Sequence, residues 1–103
     1  MPLTKHQFRL GVGEETEILM RTIYGILAKD QEHAYNADEV LKGLDKRFVH
    51  EGKDRFDRAL EALVEVGALE LRVVDGTSYY AFHIEVDQNT WQPKLPSPGM
   101  ELI

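Results

Sequence analysis

At 103 residues the chain has room for one hydrophobic core and too little length for two ordinary domains. Apolar residues at 43% and charged residues at 29% are a globular balance, and the absence of Cys excludes disulfides and thiolate-bound zinc. A net charge of −6 has the wrong sign for nonspecific attraction to a polyanion, so any nucleic-acid surface must be a local one, acting within a screening length of ~10 Å.

No apolar run is long enough to span a bilayer, and the first residues lack the apolar segment of a secretory signal. A cytoplasmic protein without membrane contact is expected. Thr4 and Gln7 fit a capping box that starts a short helical turn ending near Gly11, and residues 1–13 read as an N-terminal extension. From Glu14 to about Lys29, Ile18, Leu19, Thr22, Ile23, Ile26 and Leu27 form one helical stripe. Glu14, Glu15 and Glu17 load the positive end of that helix dipole.

Asn36 and Glu39 form a second capping box before a short helix through Val40, Leu41 and Leu44, and residues 33–35 suit a brief extended segment that pairs with a later hairpin. A further helix runs from about Lys53 to Val66, with Phe56, Ala59, Leu60, Leu63 and Val64 facing inward and Gly67 ending it. The period then changes from 3.6 to 2. Leu69, Leu71 and Val73 alternate with Glu70, Arg72 and Val74, and Asp75-Gly76 fits a two-residue type I′ turn. Closing there sets Val73 opposite Ser78, Leu71 opposite Tyr80 and Leu69 opposite Phe82, with the apolar side chains on one face. Residues 14–86 are thus one domain. Residues 87–103, which hold three of the four prolines, read as an extended tail with Trp91 and Leu95 as anchors.

The order helix, short helix, helix, hairpin over residues 14–84, above all "FDRALEALVEVGALELRVVDGTSYYAF", resembles the winged helix-turn-helix superfamily. The resemblance implies an α+β, mainly helical fold of three helices plus a C-terminal β-hairpin wing. It also implies that the third helix enters the major groove of DNA while the wing meets the neighbouring backbone or minor groove.

Half of the twelve basic residues fall within residues 42–58, against four carboxylates there. The winged-helix reading makes Arg55 and Arg58, three residues apart on one face, the base readers. It puts Lys46, Arg47 and Lys53 on phosphates, with Arg72 on the outer face of the wing. Asp54 lies four residues before Arg58, however, and Glu51 four before Arg55, the favourable order for ion pairs along a helix surface. Tyr79 is expected outward, across from Arg72, and Trp91 packs either on its own domain or, with a slight preference, on a second chain.

His83, Glu85 and Asp87 share a face of a continuing strand, but nothing makes them converge, and no metal or cofactor is expected. No Gly-x-Ser-x-Gly elbow, phosphate loop or His-Glu-x-x-His motif is present, so no catalytic residue is assigned. Two functions follow. The first is a non-enzymatic, transcription-regulator-like homodimer on double-stranded DNA. The alternative is an acidic winged-helix adaptor that binds protein, with Tyr79, Trp91 and Leu95 toward the partner.

Overall fold

The computed structural model describes residues 2–44 and 52–94. Among them are four helices, α1 (Lys5–Leu10), α2 (Glu14–Ala28), α3 (Ala37–Lys42) and α4 (Lys53–Glu65), and three strands, β1 (Tyr35–Asn36), β2 (Leu69–Val74) and β3 (Thr77–Phe82). Both capping boxes form. The Thr4 hydroxyl accepts from the Gln7 amide at 3.1 Å while the Gln7 side chain accepts from the Thr4 amide at 3.0 Å. The Asn36–Glu39 pair makes the same exchange at 2.9 Å in each direction. Gly11, at φ 73°, ends α1 in the left-handed conformation that only Gly takes without a steric penalty.

The sheet is antiparallel in the order β1-β3-β2. Asp75 and Gly76 both have positive φ, 51° and 81°, as a type I′ turn demands. The register is the one the sequence implies, with Leu69 opposite Phe82, Leu71 opposite Tyr80 and Val73 opposite Ser78. Tyr35 of the short first strand pairs with Tyr80. The burial of the apolar face is corrected, however. Leu69 is buried, but Leu71 is 43% exposed and Val73 67%. A six-residue strand is ~20 Å long, and α4 shields the base of the hairpin rather than its tip.

The core is formed mainly between α2 and α4, where Leu19, Met20, Ile23 and Leu27 join Phe56, Ala59, Leu60 and Leu63. Ala62 is fully buried, whereas Val64, expected to face inward, is half-buried beside it. Val12, Val86 and Trp91 belong to the same cluster, so packing continues past both of the boundaries expected at residues 13 and 86.

The segment after β3 is a folded plug rather than an extended tail as far as Lys94. Val86 bridges Pro93, and the backbone N–H groups of Lys94 and Asp87 donate hydrogen bonds to the carbonyls of Glu85 and Gln92, each at 2.9 Å. The Asp87 carboxylate accepts from the amides of Asn89 at 2.7 Å and Thr90 at 3.3 Å, which tightens the turn. Trp91 takes a left-handed φ of 60°, costly for a bulky residue, and so turns its indole inward. Its ring is 3% exposed and meets Tyr24 edge-on at 6.3 Å. The Tyr24 hydroxyl in turn accepts from the Val86 amide at 3.0 Å. The preference for Trp91 at a second chain is therefore corrected, because its apolar surface is satisfied within its own molecule. Leu95 lies outside the described residues.

Glu17 holds this arrangement together. It is 5% exposed, a buried carboxylate in the first turn of α2. One oxygen accepts from the Gln7 side-chain amide at 2.9 Å and the other from the Trp91 indole at 2.8 Å. Arg21 lies 3.4 Å away on the solvent side. Among the described residues no buried side-chain polar atom is left without a hydrogen-bond partner.

Replacing Glu17 with Ala strands two buried donors, and a loss of about 3 kcal/mol in urea unfolding is expected. Trp91→Phe keeps an aromatic ring but removes the donor and part of the indole's buried volume, which should cost about 2–3 kcal/mol. Equal stability of both variants and the parent chain would contradict the role given to this cluster.

Candidate functional site

α4 carries the cations that the winged-helix reading assigns to DNA, and its neighbours decide what they face. The Arg55 guanidinium meets Glu15 of α2 at 2.6 Å. Arg58 donates through Nη2 to the Leu10 carbonyl at the end of α1, and through Nη1 to Glu61 at 2.7 Å, with Glu65 at 3.4 Å. The expected ion pair with Asp54 is thereby replaced by contacts toward the C-terminus of the helix. A free carbonyl at the end of α1 draws the guanidinium that way, as helix C-termini draw cations generally. Lys53 is exposed at the start of α4. Arg72 runs along its own strand to Glu70 at 2.9 Å, although its backbone does sit opposite Tyr79 as expected. Lys46 and Arg47 lie outside the described residues, as does Glu51.

Between α4 and the inner face of the hairpin lies a groove of about 320 Å³, lined by Asp57, Glu61, Val64, Glu65, Leu71 and Tyr80. Positions 57, 61, 64 and 65 recur at helical spacing and present one face. Three of the four are acidic. Burial first, and then the charges of Asp57 and Glu61, push the Tyr80 phenol above its ordinary value. Spacing along the helix places Asp57, Glu61 and Glu65 on its outward face, but it does not show that the hairpin adds an apolar floor beside them.

The outer face of the sheet carries a second concavity, of about 400 Å³, where Tyr79, Val74, Ala81 and Ala34 meet Glu70 and Arg72. Tyr79 is half-buried there, between Asn36 of β1 and Arg72 of β2. Trp91, placed in the core, belongs to neither surface.

A polar cluster at the loop before β1 was not anticipated. The Asp30 carboxylate accepts from the Tyr35 hydroxyl and lies 2.9 Å from Nδ1 of His33. These contacts, Tyr35 foremost, hold the Asp30 carboxyl below its ordinary value of 3.8, and the amides of Asn89 and Thr90 do the same for Asp87. A depressed carboxyl stabilises the fold above its unfolded pKa, and that contribution is lost as pH falls through the folded value. Asp30→Asn and Asp87→Asn should each flatten the decline of the urea midpoint below pH 3.8. An unchanged acid limb would contradict these bonds.

Among the described residues no helix is long and apolar enough to cross a membrane. Comparison with protein-family models, curated proteins and solved structures finds no match for this chain, so its own residues carry the functional reading.

Proposed function

We propose that the chain is a non-enzymatic winged-helix protein whose α4–hairpin surface binds a protein partner rather than duplex DNA. The order of elements supports the winged-helix part, with α2, α3 and α4 followed by a hairpin whose second strand is joined by the short β1. One observation carries the choice of partner. Where a winged helix would approach a duplex, Asp57, Glu61 and Glu65 stand over an apolar floor of Val64, Leu71 and Tyr80.

Phosphates brought to that groove would meet like charge, and the arginines meant to receive them already hold carboxylates. A cationic peptide with apolar side chains meets complementary charge at the rim and a hydrophobic floor. Electrostatic complementarity of this kind steers association and rejects partners of the wrong sign.

A synthetic amphipathic peptide rich in Leu, Lys and Arg is the probe, titrated beside a fluorescent duplex at low salt. The peptide is expected to bind, with affinity reduced about tenfold when Asp57 and Glu61 are both changed to Lys. No retention of the duplex is expected at micromolar protein. Duplex binding that collapses as salt rises, the mark of counterion release from phosphates, would overturn this reading in favour of a DNA-binding regulator.

A further inference from the structure

β2 is an edge strand, and among the described residues nothing pairs with its outer side. The two-residue turn makes Val74–Thr77 a hydrogen-bonded pair, and alternation extends this to 72–79 and 70–81. Leu69, Leu71 and Val73 must then direct their N–H and C=O groups away from β3. The strand has no Pro and no Lys, and three apolar side chains on it, Leu71, Val73 and Val74, are exposed. Edges of this kind template the addition of another strand unless something blunts them.

We propose that this edge pairs with the same edge of a second copy, antiparallel about a two-fold axis through Leu71. The sequence is self-complementary in that register and no alternative centre uses it as fully. Leu71 faces Leu71 of the partner subunit in a hydrogen-bonded pair, and Leu69 faces Val73 of the partner subunit likewise. These are the positions whose amides point outward. The intervening non-hydrogen-bonded pairs bring side chains closest together, and there Glu70 faces Arg72 of the partner subunit, twice by symmetry. The contact that Arg72 now makes with Glu70 of its own strand is exchanged for the same contact across the axis. The two-fold axis is perpendicular to the sheet, so a continuous six-stranded sheet forms with both α4 helices on one side. Leu71 and Val73, left uncovered by α4, gain a neighbour. This pairing holds whether or not the α4 groove takes a peptide.

Charge reversal separates a pairing across the axis from one within the strand. Sedimentation equilibrium of the full chain should show a mass rising with concentration from monomer toward dimer. Glu70→Arg and Arg72→Glu should each weaken self-association about tenfold, because each places like charges opposite one another twice. Mixing the two variants in equal amounts should restore it, since every cross-axis pair is then Arg with Glu. Restoration requires both chains to be folded, so the mixture controls for misfolding. A parent chain that stays monomeric at millimolar concentration would overturn the proposal and leave the edge to an extended segment of another protein. A dimer indifferent to both reversals, or a mixture no tighter than its components, would overturn it equally.

Discussion

A carboxylate removed from water costs several kcal/mol unless charge-assisted hydrogen bonds replace its hydration. Glu17 meets that requirement with donors from two distant places, Gln7 ten residues before it and Trp91 seventy-four after. Neither α1, at six residues, nor the plug at 85–94 is long enough to be stable alone. Bonding to one buried acid fixes both against the N-terminal turn of α2. The same end of α2 supplies Glu15 to Arg55, and α1 supplies its last carbonyl to Arg58. The α1–α2 corner thus sets which way the cations of α4 point, and with it the charge of the surface left open.

That surface is acidic for a structural reason. Arg55 meets Glu15 and Arg58 meets the Leu10 carbonyl at the α1–α2 corner; Arg58 also holds Glu61 and Glu65, but this one cation is outnumbered by the three carboxylates, Asp57 included, that line the groove. The hairpin adds apolar side chains rather than lysines, and its tip outruns the helix that shields its base. Among the described residues an acidic groove and an unpaired strand edge are thereby left open, the two surfaces that the proposed function and the proposed self-pairing assign to polypeptide.

Much of the architecture was legible from local rules. The two capping boxes, the Gly67 exit, the Asp75-Gly76 turn and the hairpin register all follow from interactions between residues close in sequence, where side-chain chemistry and periodicity suffice. What escaped depends on long-range contacts. Glu17 looks like one of three dipole-stabilising acids, and nothing nearby shows that it is buried under an indole from the far end of the chain. Trp91 in a Pro-containing stretch looks free until its left-handed backbone and its bond to Glu17 are known. The pairing of Arg58 was missed because the Leu10 carbonyl competes with Asp54 from 48 residues away. On the functional side, the positions of the cations could be read, but their partners could not.

Because Trp91 is the only tryptophan, its indole reports on the Glu17 cluster without interference. The most direct test is the exchange rate of its indole N–H in the folded chain by NMR, together with quenching of its fluorescence by acrylamide. A ring packed on Tyr24 and bonded to a buried carboxylate should give one slowly exchanging indole proton and weak quenching. Rapid exchange with solvent and quenching as efficient as that of free tryptophan would mean that the plug is not seated, and the account built on Glu17 would fail.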